Sequence, residues 1–548
     1  MSPDDSQPGD HFEQRNSCNE RRGNPGTLGP IMARSLEIRS HWLGLSIPSD
    51  GFVSRTNIRN VHHQPTVIVA QENSESDSSY GGRRTYPLPC IQDSKRVVLV
   101  RHGQSTWNEA GRIQGSSDFS RLTSKGENQA EISRQMLQSD SFDVCIHSPL
   151  SRAKRTAEVI WGAARNPNSL ISIDDLREID LYAFQGLYKV KGKELFGEVY
   201  TKWKKDPVNF LVDGHYPVRE LWERASGCWG RILGQDGSSI LVVAHNAVNQ
   251  ALVATAIGFG PTYFRHLLQS NCGVSVLDFT PGDAKNSPPH VCLQRLNQTP
   301  ASPLSDGGKS RTRIVLVCHG ATGTSQRDRF ASSPSEPLSP LGTLQSTMIG
   351  EHLLDNSHVH SIVCGPELRT SKTAELIAQG FEGSEDFEIS SLEELRDFEW
   401  GEWRGRSKAD VALASTSNSS MRWQDELRLS NVRRAESFKS FWSRTAQGWD
   451  TLRRRLDGIQ AQNGSNGCVV VVGHNMVNEA MLCHCLNLDE SYFGCFRFDS
   501  GSISVIDFPD GASGKGVVRC LNYTSHLDRW AVPVTRRETR NLTAASSF

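Results

Sequence analysis

Several side chains suited to nucleophilic or acid–base work stand beside strand-like apolar runs. Val97-Val98-Leu99-Val100 is followed at once by Arg101-His102-Gly103, which puts an imidazole at the end of a strand. Asn108, Arg152, Glu178 and His245 follow strands or lie in loops that the same rim would collect. A histidine can serve as nucleophile or base, a carboxyl as acid, and arginines bind anions through forked, charge-assisted bonds. Taken singly, each has a plainer reading: a strand-end imidazole, an arginine on a surface helix, a solvated loop carboxylate. The ordered set is what points to a site.

Such a site needs a scaffold, and the chain writes one twice. Ile314-Val315-Leu316-Val317-Cys318-His319-Gly320 repeats the first motif. Ser148-Pro149-Leu150-Ser151-Arg152 returns as Gly365-Pro366-Glu367-Leu368-Arg369, and Val242-Val243-Ala244-His245-Asn246 as Val471-Val472-Gly473-His474-Asn475. Order is kept, with one insertion of about a dozen residues, as expected of tandem copies. Thr123 and Ser339 stand where helix N-caps belong, and Pro340 suits a first helical turn. Helical spacing runs from Gly126 to Leu137. Strands alternating with helices predict an α/β fold: two tandem three-layer α/β/α domains, each a mainly parallel sheet with helices on both faces. Ligands of such sheets bind beyond the strands' carboxyl ends, where His102 and His245 fall. The expected organisation is a disordered leader over 1–92, a first domain over 93–298, a linker over 299–311, a second over 312–525 and a tail over 526–548. Gly308-Lys309-Ser310 imitates the end of a Walker A motif, but Pro303 occupies the required first glycine, which leaves a linker.

Arg101-His102-Gly103-Gln104-Ser105 with Trp107-Asn108, Gln114-Gly115, Leu122-Thr123, Ser148-Pro149-Leu150-Ser151-Arg152, Leu176-Arg177-Glu178, Gln185-Gly186 and Val243-Ala244-His245 resembles the phosphoglycerate mutase-like branch of the histidine phosphatases. The resemblance covers Arg96 to about Phe279 and, more loosely, Arg313 to Phe508. It implies His102 as a transiently phosphorylated nucleophile and Glu178 as the acid, then base. Arg101, Asn108, Gln114, Gly115, Arg152, His245 and Asn246 are the implied binders of the phosphoryl group and substrate. A phosphomonoester dianion repels nucleophiles, and Arg101 and Arg152 would neutralise it while resisting protonation of His102. Arginine and histidine already supply positive charge, so no metal and no cofactor is expected.

The second copy departs from this pattern. Cys318 replaces the arginine, Ser325 stands for Asn108, and Ala331-Ser332 for Gln114-Gly115. His319, Arg369 and His474 remain, and Leu395-Arg396-Asp397 puts Asp397 at the acid position. Loss of a phosphate-clamping arginine costs about 2–5 kcal/mol, so a weak or dead second site with a structural or regulatory role is expected.

The 548 residues exceed one core, and 37% apolar content suggests globular domains diluted by other segments. Lys plus Arg is 60 against 61 for Asp plus Glu, which argues against nucleic acid as partner. No apolar run approaches a membrane span, so a soluble protein without a membrane partner is expected. Thirteen scattered cysteines favour a reducing compartment, and Cys483-His484-Cys485 reads as helix thiols rather than a metal site. Residues 1–31 carry several acids, whereas Met32-Ala33-Arg34-Ser35 with Arg39, Ser40, Arg55 and Arg59 reads as a transit peptide, with translation from Met32 as one account. Together the leader and tandem copies resemble a plant type of this family, which implies the chloroplast stroma and a small phosphorylated sugar or sugar acid as substrate. Lys204, Lys205, His215 and Arg219 read first as a solvated basic face and second as partners of a substrate carboxylate. A phosphoglycerate mutase, a broad-specificity sugar phosphatase and a non-catalytic phosphate-binding protein remain open alternatives.

Overall fold

The computed structural model describes residues 87–162, 166–299, 301–304, 312–381, 388–414, 427, 432–463 and 467–527. The leader to residue 86, the Walker-like tripeptide and the tail beyond residue 527 lie outside them.

The first copy runs β1 (Lys95–Arg101), α1 (Thr106–Glu109), α2 (Ser124–Met136), β2 (Val144–His147), α3 (Ser151–Trp161) and β3 (Leu170–Ser172). It continues through α4 (Lys189–Lys205), α5 (Pro217–Leu233), β4 (Ser239–Ala244), α6 (Asn246–Ile257), β5 (Val274–Thr280) and β6 (His290–Gln298). The second repeats the plan: β7 (Arg313–Cys318), α7 (Pro340–Asn356), β8 (Ser361–Cys364), α8 (Leu368–Gln379) and β9 (Glu388–Ser391). There follow α9 (Lys408–Ala414), α10 (Phe438–Asn463), β10 (Cys468–Gly473), α11 (Asn475–Cys485), β11 (Ile503–Asp507) and β12 (Val517–Tyr523). The expected caps form: Thr123 accepts from Gly126 N, and Ser339 from Gly342 N with Pro340 in the first turn. The stretch between β3 and β4 holds two helices, with Phe184, Trp203 and Phe210 clustered beneath them.

Val97, Val98, Leu99 and Val100 are all buried, which explains an apolar run without alternation: both faces of the sheet are covered. On one face Val98 and Val100 meet α2 and α3 through Met136, Ala157 and Ile160; Val315 and Val317 meet α7 and α8 likewise. On the other, Val97 and Leu99 join one core with Trp222, Val248, Leu452 and Val477 that runs through both copies. β3, β2, β4 and β1 are parallel, and β5 and β6 add antiparallel strands.

The two copies share one twelve-stranded sheet, ordered β3-β2-β4-β1-β5-β6-β12-β11-β7-β10-β8-β9. It is joined where β6 pairs antiparallel with β12, Leu296 opposite Leu521. Contacts across the join come in matched pairs: Tyr263 Oη donates to Leu486 O and Tyr492 Oη to Gly258 O, both at 3.1 Å. Asn297 and Asn522, with φ of 54° and 56°, each donate to a carbonyl of the other copy, Arg519 O at 2.8 Å and Gln294 O at 2.9 Å. Asparagine tolerates this left-handed backbone better than most residues.

Candidate active site

β1 ends at Arg101, and His102 N donates to Ala244 O at the end of β4, which fixes the imidazole at the carboxyl rim. Gly103 is required by close approach: a Cβ there would lie 2.4 Å from Gly126 O of α2. His102 Nδ1 lies 2.7 Å from Gly103 O, so Nδ1 carries the proton and Nε2 keeps its lone pair. Burial, then Arg152 and Arg101, hold the His102 pKa well below the usual 6.5. The imidazole is therefore neutral and nucleophilic at physiological pH.

His245 caps α6 directly after β4, its ring 5.1 Å from that of His102. Its Nε2 lies 2.8 Å from Ser148 Oγ, and a hydroxyl donating there leaves the proton on Nδ1. Arg152, at the start of α3, is fully buried and donates to Ser117 O at 2.7 Å and Gly115 O at 2.9 Å. Burial draws its pKa down to about 10, against the opposing charges of Glu178 and Asp118. Arg101 donates to Gln269 O at 2.8 Å. Arg101 Nε, Arg152 Nε and His245 Nδ1 are buried and without hydrogen-bond partners among the described residues. Buried donors are rarely left so, and three beside a neutral imidazole define a seat for an anion.

Glu178 stands at the first turn of α6. Its Oε1 accepts from Ile179 N, Ala247 N and Val248 N at 3.0–3.1 Å, and its Oε2 from Ala247 N at 3.1 Å. Asn108 Oδ1 accepts from Ser105, so its amide nitrogen is the end able to donate. Gln114 Oε1 accepts from Ser105 Oγ at 2.8 Å, and Gly115 contributes its carbonyl to Arg152. Asn246, the first residue of α6 after His245, accepts at Oδ1 from Gln250 one turn along the helix. In the basic group, His215 stacks on Tyr182 and pairs with Glu220, and Arg219 lies over Tyr216.

Three residues not singled out from the sequence belong here. Thr156 Oγ1 accepts from Gly103 N; its return as Thr373 within a repeated motif was a usable signal. Asn271 Nδ2 donates to His102 O at 2.9 Å and reaches Asn108 Oδ1 at 3.4 Å. Lys189, exposed at the start of α4, lies within electrostatic reach of Arg101 and Lys204.

The second copy keeps the frame and changes the charges. His319 Nδ1 lies 2.7 Å from Gly320 O, and its ring 5.0 Å from that of His474. Cys318 brings no charge, burial pushing its thiol up to about 12. Arg369 Nη2 pairs with Asp397 Oδ2 at 2.7 Å, and His474 Nε2 with Glu367 Oε2 at 2.8 Å. Burial opposes ionisation of Asp397, yet His474 and Arg369 hold its carboxyl below the usual range.

Paired strand-end histidines, buried arginines and a carboxylate on one α/β rim, beside a second copy that keeps the histidines and one arginine, are the marks of a phosphoryl-handling enzyme. The chain matches the histidine phosphatase superfamily (branch 1) over residues 97–287 and again over 314–522, and it belongs to that superfamily. Members hydrolyse phosphomonoesters through a phosphohistidine intermediate. The chain is 50% identical over 462 residues to 2-carboxy-D-arabinitol-1-phosphatase of Triticum aestivum, covering 83% of this chain and 91% of that one. It is 49% identical over 453 residues to the Arabidopsis thaliana protein named "Probable 2-carboxy-D-arabinitol-1-phosphatase", with 81% and 91% covered. A Salmonella choleraesuis protein named "Probable phosphoglycerate mutase GpmB" is 36% identical over 190 residues, 34% of this chain and 85% of that one.

Proposed function

We propose that the first copy hydrolyses the phosphomonoester of a small sugar acid, 2-carboxy-D-arabinitol 1-phosphate being the substrate that the wheat relative's name supports. The observation that carries the reading is the neutral His102 imidazole, its Nδ1 tied to Gly103 O, beside three unpaired buried donors. In this reading His102 Nε2 attacks phosphorus and the ester P–O bond breaks. Arg101, Arg152, Asn108 and His245 hold the non-bridging oxygens as charge shifts. Glu178 Oε2, with a single backbone contact, gives a proton to the leaving alkoxide. It then takes one from water, whose oxygen attacks the phosphohistidine to release inorganic phosphate and restore His102. A substrate carboxylate would find Lys189 beside Arg101. The leader composition and the plant relatives support placement in the chloroplast stroma.

The test is turnover on a panel of sugar and sugar-acid phosphates, with free phosphate measured against isomer formation. His102→Ala should abolish both phosphate release and acid-labile phosphoenzyme, whereas His319→Ala should change turnover by less than about twofold, well below the tenfold that ~1.4 kcal/mol would bring. Isomer without phosphate would make the protein a mutase. Near-normal turnover of His102→Ala would remove the assigned nucleophile.

A further inference from the structure

The acid position behaves differently in the two copies, and the cause is one methylene together with an occupied helix terminus. Glu178 reaches the first turn of α6 and is held there by Ala247 N and Val248 N, while the η nitrogens of Arg152 donate to the carbonyls of Ser117 and Gly115. Asp397 is shorter, and at the matching turn Met476 N is already taken by Asn475 Oδ1 at 2.8 Å. The Asp397 carboxylate falls instead on the guanidinium: Oδ2 is 2.7 Å from Arg369 Nη2 and 3.6 Å from His474 Nδ1. Its other oxygen accepts from Phe398 N at 2.8 Å. In the first copy His245 Nδ1, the match of His474 Nδ1, is one of the unpaired donors of the proposed phosphoryl seat, while Arg152 Nη2, the match of Arg369 Nη2, donates to Gly115 O. Glu367, where the first copy has Leu150, adds a second carboxylate on the far nitrogen of His474. The second copy thus keeps one of the two clamping arginines, with a carboxylate set directly against it.

The cavity itself persists. About 120 Å³ is enclosed by His319, Arg369, Asp397, Trp400 and His474 among others, so the second copy is not closed by bulk. We propose that Asp397 is a built-in counter-anion lying between Arg369 and His474, and that the second copy is a latent oxoanion site closed by this carboxylate. This rests on the reading of the first copy's seat as the place of the phosphoryl group. Phosphate, a dianion, meets the fixed Asp397 carboxylate there and is excluded. Taking away the Asp397 charge leaves Arg369, His319 and His474 facing an empty cavity of suitable size.

Calorimetric titration of the full-length protein with orthovanadate, a phosphate mimic, counts the sites. Asp397→Asn should bind one more vanadate per chain than the wild type, and Arg369→Ala added to it should remove that extra site. Asp397→Ala is the second variant, and the loss of its carboxylate should likewise free Arg369 and add a site. Folding is checked by circular dichroism. No increment in either folded variant overturns the proposal, as does an increment that survives Arg369→Ala. So does a wild type that already binds two. The increment decides this inference, whereas a wild type binding none would count against the seat in the first copy and leave the increment to be read as before.

Discussion

At the scale of single residues, reactivity is set by which charges are left unpaired. His102 is neutral because burial and two guanidiniums oppose its protonation. The acid limb that His102 gives to kcat/KM should therefore lie below pH 6.5. Arg152→Gln removes one opposing charge, so the His102 pKa rises and that limb moves to higher pH; a profile that stays in place would show that Arg152 does not act on His102. The same burial has a thermodynamic side. His102, His245 and His319 all have folded pKa values well below 6.5, so the unfolded chain binds more protons than the folded one as pH falls. Stability should be full above 6.5 and decline as pH drops from there toward the folded pKa values, read as a falling Tm. The contrast of Glu178 with Asp397 was legible in sequence only as a shorter acid. That the shorter side chain swaps a helix terminus for an arginine depends on what else fills the terminus, here Asn475.

At the scale of elements, the sequence placed His102 and His245 correctly because each directly follows an apolar strand, and strand ends collect at one rim. Asn271 and Lys189 carried no such mark: each owes its place to a loop or helix returning from far along the chain. The strand-to-strand join was hidden for the same reason, since edge pairing leaves no local signature in β6 or β12. Asn297 ties these levels together. Its Oδ1 accepts from Ser270 N at 2.7 Å while its Nδ2 donates to Arg519 O of the second copy, and Ser270 precedes the Asn271 that holds His102. Asn297→Ala leaves buried partners unsatisfied at a positive φ, a loss of about 1–3 kcal/mol, measurable by thermal melting. Turnover should fall more than the lost stability explains, because the loop behind His102 and Asn108 loosens; unchanged kinetics would confine Asn297 to stability.

At the scale of the whole molecule, the second copy covers what the first would otherwise expose. β6 presents its edge to β12, and Phe259 and Tyr263 pack near Tyr492, Phe496 and Leu486. A chain ending before Thr312 would expose both the strand edge and this aromatic surface, conditions that favour association. It should be markedly less soluble than the full chain, as sedimentation and light scattering would show. A monodisperse, stable monomer would mean that the join contributes little.

The edge-to-edge join also has a history in time. β6 is made before β12, and at roughly 5–20 residues per second more than two hundred residues of delay leave the first copy with an open edge for tens of seconds on the ribosome. Neighbouring nascent chains on one message hold the same edge in the same state. Because the join has matched halves, with Tyr263 answered by Tyr492 and Asn297 by Asn522, the β12 of one chain fits the β6 of another as well as its own. Exchange during synthesis would produce intertwined dimers with every native contact satisfied, and only proximity along the chain favours the monomer.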